Sequence, residues 1–507
     1  MTVVKNHDQP RVGSIEELGI SPSGDPCKSL QGNPVGLGEI LLLSLSFTFL
    51  YLYWGQTTFY REDGLQFVFN FIDRGNLRHD HHLLYLPIAW VFRQALDGTG
   101  WGTHRILTVL SGLMTGLGIF IGGLAVLKAQ FRRIQAFFFL GFLGFCPAVF
   151  FFATVVEIHG VFFPFAMGVF LLAEFLIQEE GQRKRIFWAL ALGVMTWLAS
   201  LVHSSGHLLL PLCGAWIAAR RGFREMLIPF FLWALVHGTL MGLGNPLVLQ
   251  LLGEKSGGAS RALEVIEERT PLKGILGRIF PSLYNEVLIS FPPLWLVVFA
   301  PLWDASLRKK VLWAVIGVLP YLLLTTLFLA DLHTYEPIYE RGAYLLPLAF
   351  PAAWILARRI SSPALLSLLL LIGAARSVEQ VWTHDTRPGR PFAQGFRRVT
   401  QGEKAILLAG GVVDLSSTLL EMPEVRVVFL SDFVARPEIP VAVIAGKILE
   451  LSQKESLPLF LSKEAVTLWS KGPLAQRGEA LLKRLRKDFL LIDRDSGSFS
   501  AWKLQRK

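Results

Sequence analysis

Apolar runs of about 17–25 residues recur along this chain from residue 38 to residue 376, and each is long enough to carry a helix across a hydrocarbon core ~30 Å thick. Hydrophobic residues make up 52% of the sequence and charged residues 17%, with a mean hydropathy of +0.46. Ordinary soluble domains do not reach that balance. Eleven spans are read, at roughly 38–54, 104–127, 135–152, 160–177, 187–202, 207–219, 226–245, 287–303, 311–330, 342–357 and 363–376. The expected fold class is a mainly α-helical polytopic membrane protein of about 11 spans carrying a small C-terminal α/β domain.

The net charge of +10 is gathered in short connections between apolar runs, so it is a topology signal and not a nucleic-acid footprint. With the N-terminus inside, every second connection is basic: Lys128/Arg132/Arg133, Arg183/Lys184/Arg185, Arg220/Arg221/Arg224, Arg308/Lys309/Lys310 and Arg358/Arg359. A missed or invented span would break that alternation. Residues 1–37, polar and rich in Gly, Pro and Ser, are expected to form a flexible cytoplasmic tail. The three cysteines, Cys27, Cys146 and Cys213, show neither disulfide nor zinc spacing. A multi-pass protein of the cell (inner) membrane is expected.

This topology sends the unusual polar residues to one face. Glu62 and Asp63, the cluster 79–82, Glu157/His159, His203/His207, the long connection 246–286 and Asp331–Arg341 all fall outside, as does the chain after 377. Within the first outer connection, 63–75 and 83–96 carry apolar residues at helical spacing and are expected to lie along the interface. After a linker at 377–394, residues 395–507 read as an extracytoplasmic α/β domain. Its strands are expected at 405–409, 426–431, 440–445, 457–461 and 489–493, and its helices at 414–422, 447–455, 463–470 and 474–487.

Ionisable groups beside a membrane are costly unless they face water or do chemistry. Asp63, just past the first span, suits a general base taking a proton from an attacking hydroxyl, with Glu62 as its fallback. Asp63-x-x-Gln66 equally suits a capping box on the interfacial helix, and the two roles are compatible. His79, Asp80, His81 and His82 resemble a metal cluster in composition, but adjacent residues rarely converge on one ion and the spacing fits no zinc pattern. Hydrogen bonding to phosphate, or a polar interfacial turn, suits them better, and no metal or other cofactor is assigned. Glu157 and His159 mark the mouth of two spans, and His203 and His207 share a face if their turn is helical. Arg341 is a candidate phosphate clamp, since guanidinium matches phosphate bidentately, or a side chain snorkelling to headgroups.

Together these features resemble the GT-C superfamily of polytopic glycosyltransferases, and more narrowly bacterial membrane proteins related to the transmembrane protein O-mannosyltransferases. The D-S-x-E-F-like motif after the first span reads Asp63-Gly64-Leu65-Gln66-Phe67. HDHHLLYLP at 79–87 stands where that group has an H-P-P-G-Y-P-L-Y-like turn. Glu157-Ile158-His159 matches an E-V-Y-like motif, His203-Ser204-Ser205 an N-H-x-T-like one, and PEVRVVFLSDF at 423–433 a P-D-V-x-V-V-x-L-S pattern. Gln66 replaces the second acid of the first motif, and His159 replaces an aromatic residue.

The resemblance implies sugar transfer from a polyprenyl-phosphate carrier to a hydroxyl on a protein, lipid or glycan, with inversion and Asp63 as base. His79, His81, His82, Glu157, His159, His203, His207 and Arg341 would bind substrate. Two alternatives stay open: a flippase or transporter for lipid-linked glycans, and an outer-face glycan ligase or polymerase. A transporter would place polar groups near mid-span and often shows inverted repeats, whereas here they gather at one face. Arg261, Arg269 and Arg278 in the 246–286 connection keep the ligase reading in play.

Overall fold

The computed structural model describes residues 33–507 outside 61–63, 65–66, 73–74, 76, 78–81, 252–282, 300–310, 314, 320–340, 386–388, 411–424, 436–438, 464–465, 467–474 and 497–498. The first span is α1 (Leu37–Tyr53). The following connection holds a π-helical turn, Phe67–Ile72, and α2 (Tyr85–Ala95), inside the two stretches expected to be interfacial. Five more helices follow: α3 (Thr103–Lys128), α4 (Arg133–Gly144), α5 (Pro147–Ala153), α6 (Ile158–Gln178) and α7 (Gln182–Val202). Next come α8 (Leu209–Arg221) and α9 (Phe223–Thr239), the latter running through a π turn into α10 (Asn245–Leu251). The membrane domain closes with α11 (Ala349–Arg359) and α12 (Pro363–Asp385).

Among the described residues, five helical stretches are long and apolar enough to cross a membrane: α3, α6, α7, Arg224–Leu251 and α12. The run expected as one span at 135–152 is α4 and α5, bent by 61°. Pro147 opens α5 at a position where its missing N–H costs nothing. Other expected spans are short, like α1, α8 and α11. The run at 287–303 breaks at Pro292-Pro293 into a π turn (Tyr284–Ile289) and a 3-10 turn (Leu294–Phe299), because a proline cannot donate to the helical ladder. Most of 311–330 lies outside the described residues.

The core of the bundle is α3 packed on α1 and α6, with α7 against α6 and α9. α3 buries Gly112, Gly116, Gly122 and Gly123; small residues let helices approach closely where lipid is as apolar as the side chains. Toward the basic end of α6, Glu174 is fully buried and pairs with Arg220, while Trp216 donates to its Oε1 at 3.1 Å. The Arg220 guanidinium also stacks on Trp216 and Trp354, 5.4 and 5.0 Å from the ring centroids. The arginine that marks topology in the sequence therefore also neutralises a buried acid.

α12 continues helical to Asp385, through residues expected to begin the linker, and α13 (Gly389–Thr400) leads into the C-terminal sheet. Its elements are β1 (Ile406–Ala409), β2 (Arg426–Phe429), α14 (Leu430–Ala435), α15 (Val441–Lys454), β3 (Leu459–Ser462), α16 (Ala475–Asp488), β4 (Phe489–Asp495) and β5 (Ser500–Arg506). The strand order is β2-β1-β3-β5-β4, with β1 parallel to both neighbours and β5 antiparallel to β3 and β4. All of β1 is buried, as a central parallel strand requires.

Two strand expectations are corrected. Residues 440–445, rich in β-branched side chains, belong to α15, because Ile444, Ala445 and Ile448 form one buried helical face behind Pro440. The strand β5 was not expected; it earns its place by register, pairing Leu461 with Trp502 and Leu491 with Leu504. The helix expected at 414–422 lies outside the described residues, as does most of 463–470.

Candidate active site

The break between α5 and α6 organises the site. Thr154 ends α5, and Glu157 caps α6 in extended backbone, its Oε2 accepting the Ile158 N–H at 2.6 Å. That leaves Glu157 buried, with its carboxylate 3.8 Å from Nδ1 of the buried His159. The other end of α7 supplies His203, which leaves the helix in extended backbone and caps the 3-10 turn Ser204–Leu208. Its Nδ1 accepts the Ser205 N–H at 3.1 Å and lies 2.6 Å from the Ser205 hydroxyl. An acceptor Nδ1 places the ring proton of neutral His203 on Nε2.

The connection between α1 and α3 folds onto the same place. The Leu84 N–H donates to the Leu201 carbonyl at 3.0 Å, and His82 Nδ1 donates to the Val202 carbonyl at 3.2 Å. His82 stacks on His203 with ring centroids 5.5 Å apart, and His203 lies 4.8 Å from His159. Tyr344 closes the group, 5.6 Å from His159 and 5.2 Å from His203. Below them Tyr85 is buried; burial first, then the charge of Glu157, pushes its phenol above the usual tyrosine range. Gly64 touches this wall too: a Cβ there would sit 2.5 Å from the Val156 carbonyl, so only glycine fits.

A second polar group adjoins through Phe151 and Phe152, whose rings are 5.3 Å apart. The Arg341 guanidinium lies 4.4 Å from the Phe151 centroid and 5.8 Å from that of Tyr60. Arg341 and Gly342 both take positive φ, 51° and 74°. Gly342 is held by the buried Glu286, whose Oε2 accepts its N–H at 2.6 Å. Beside Tyr60, the buried His384 meets the Gln56 amide oxygen, and Gln56 Nε2 donates to Thr154 Oγ1 at 2.9 Å. The end of α12, the start of the connection after α1 and the α5–α6 break are thereby tied together.

Of the expected site residues, the structure brings together His82, Glu157, His159 and His203, with Arg341 on the adjoining wall. His207 does not join them: its Nδ1 lies 3.2 Å from Nε2 of His237 on α9. The turn is 3-10 and not α, so residues four apart do not share its face. Glu62, Asp63, His79 and His81 lie outside the described residues. No set of three or more metal-ligating side chains is found among the described residues. Sequence reasoning passed over Tyr60, Tyr85, Tyr344, Glu286 and His384. Glu286 carried a usable signal, being an ionisable group at the edge of an apolar run; His384 and the tyrosines carried none.

No protein-family profile and no curated protein matches the chain by sequence. Among solved structures it is similar to ArnT from Cupriavidus metallidurans bound to undecaprenyl phosphate. The superposition covers 92% of this chain and 97% of that one, at 13% identity and a TM-score of 0.52. It also aligns with the mycobacterial arabinofuranosyltransferase AftD over 94% of this chain and 40% of that one, at 14% identity and a TM-score of 0.47. The likeness to ArnT extends over nearly the whole of both chains, and this chain has a GT-C-like fold.

Proposed function

We propose that this protein is a membrane glycosyltransferase that moves a sugar from a polyprenyl-phosphate carrier to a hydroxyl-bearing acceptor. The observation that carries the reading is convergence: four separate connections deliver His82, Glu157, His159, His203 and Tyr344 to one end of a GT-C-like bundle, against Gly64. The lipid phosphate bound to ArnT supports a carrier of that class. Asp63 immediately precedes Gly64 in the sequence and is the proposed base, with Glu62 beside it.

In the proposed step the acceptor oxygen forms its bond to the anomeric carbon from the face opposite the phosphate. Its proton passes to the Asp63 carboxylate, the carbon–oxygen bond to phosphate breaks, and the configuration inverts. The leaving phosphate needs cationic stabilisation more than protonation, a role for Arg341. The histidines and Glu157 orient sugar hydroxyls. In this reading the catalytic end faces outward, with residues 1–37 in the cytoplasm and 395–507 outside.

Purified protein in detergent, offered labelled sugars on synthetic polyprenyl phosphates, provides the test. Asp63→Asn, which keeps helix-capping ability, should lower transfer by ~10²–10⁴-fold with folding intact. Donor binding without turnover in the wild type, unchanged by the substitution, would leave Asp63 a helix cap and favour the carrier alternative.

A further inference from the structure

Arg341 and Gly342, two successive residues with positive φ, form one turn beside the candidate site. A non-glycine residue keeps such a backbone only where its surroundings hold it. The hold comes from Glu286, buried in the π turn Tyr284–Ile289, whose Oε2 accepts the Gly342 N–H at 2.6 Å. Gly342 also packs closely on the residues that follow that turn. A Cβ there would sit 2.5 Å from the Phe291 ring and 2.9 Å from Ser290 Cβ, so the glycine is needed for space as well as for φ.

The segment that carries Glu286 is itself anchored. The Ser290 carbonyl accepts the Ala148 N–H of α5 at 3.0 Å, and Gln380 of α12 donates to the Ile289 carbonyl at 3.2 Å. Phe151 lies about one turn beyond Ala148 on α5, and its ring is the one 4.4 Å from the Arg341 guanidinium. Arg341 is therefore referenced to α5 twice, through its side chain on Phe151 and through its backbone by way of Glu286 and Ser290. A guanidinium fork recognises phosphate best when its geometry is set beforehand, because a long side chain left free loses rotamer entropy on binding.

We infer that Glu286 is a positioning residue for phosphate recognition: it holds the Arg341–Gly342 turn so that the guanidinium meets the phosphate of a polyprenyl-phosphate lipid. Glu286 acts through the turn and touches no reacting atom. What matters is the reach of its accepting oxygen, not its charge. The inference rests on the proposed reaction, in which Arg341 is the phosphate clamp.

The test compares binding of undecaprenyl phosphate and of undecaprenol to the full chain in detergent, beside hydrogen exchange at the Gly342 amide. The alcohol lacks the phosphate, so the ratio of the two affinities reads phosphate recognition and is insensitive to general damage. The wild type should prefer the phosphate. Glu286→Gln keeps both the reach and an accepting oxygen, and should retain that preference and slow exchange. Glu286→Asp keeps the acid but is one methylene short. The preference should fall by about fivefold, the worth of one hydrogen bond, and Gly342 should exchange faster. On an Arg341→Gly background, Glu286→Asp should lower the preference no further.

Loss in Glu286→Gln with retention in Glu286→Asp would overturn the inference, since charge and not reach would then decide. Additive losses in the double variant, or an equal fall in both affinities, would overturn it too. A wild type with no preference for the phosphate would sink the proposed reaction and this inference with it. A preference present in the wild type and retained in Glu286→Asp would overturn the inference alone.

Discussion

His82 and His203 stack, with 17° between their ring planes, although one comes from the connection between α1 and α3 and the other from the end of α7. The two imidazoles have different hydrogen-bond polarity: His82 donates through Nδ1 to a carbonyl, and His203 accepts through Nδ1 from an N–H. The pair thus fixes two ring orientations at the site without needing charge.

His203 caps a turn in the structure and contacts substrate in the proposed reaction, and the two roles separate by substitution. His203→Ala removes the acceptor for the Ser205 N–H and should cost ~0.5–2 kcal/mol, the usual range for a lost cap. His203→Asn restores a capping oxygen and most of the thermal stability. Transfer should stay impaired in both variants, measured beside unfolding midpoints in one detergent.

Arg341→Lys keeps the charge but loses the planar stacking on Phe151 and Tyr60. Lysine is a poor substitute at a stacked or bidentate position, so affinity for a polyprenyl-phosphate donor should fall about tenfold, equivalent to ~1.4 kcal/mol. Arg341→Gly suits the positive φ and should fold, yet bind donor more weakly still. Donor titration by intrinsic fluorescence measures both.

Tyr85 gives a pH signature with a definite sign. Its folded-state pKa is raised, chiefly by burial, so its contribution to stability is complete below the unfolded value of about 10. Above that pH the unfolded phenol ionises while the folded one stays neutral, and stability falls by up to ~1.4 kcal/mol per pH unit. Tyr85→Phe should remove this share of the alkaline loss. Unfolding midpoints between pH 9 and 11 decide it.

Glu174 and Arg220 should behave as a unit. Arg220→Met strands the Glu174 carboxylate and should cost about 3–5 kcal/mol. Adding Glu174→Gln should recover most of that loss, and the double-mutant cycle gives the coupling. Simple additivity of the two losses would mean that the pair does not act together.

The sequence by itself determined the class of this protein. Repeated apolar runs required helices that satisfy their own backbone in lipid. Alternating basic connections sorted the ends of those runs, and they placed Glu157, His159, His203 and Arg341 at the same end before any contact was known. These are local properties, written within a few residues of each position. Tertiary structure decided the rest. His203 and His207 are neighbours in sequence, yet only His203 meets His82 and His159, because the turn between them is 3-10 and His207 faces His237. His384 reaches Gln56 across the whole membrane domain. Contacts like these depend on how helices pack and where prolines break them, and no local period encodes the meeting of two distant connections.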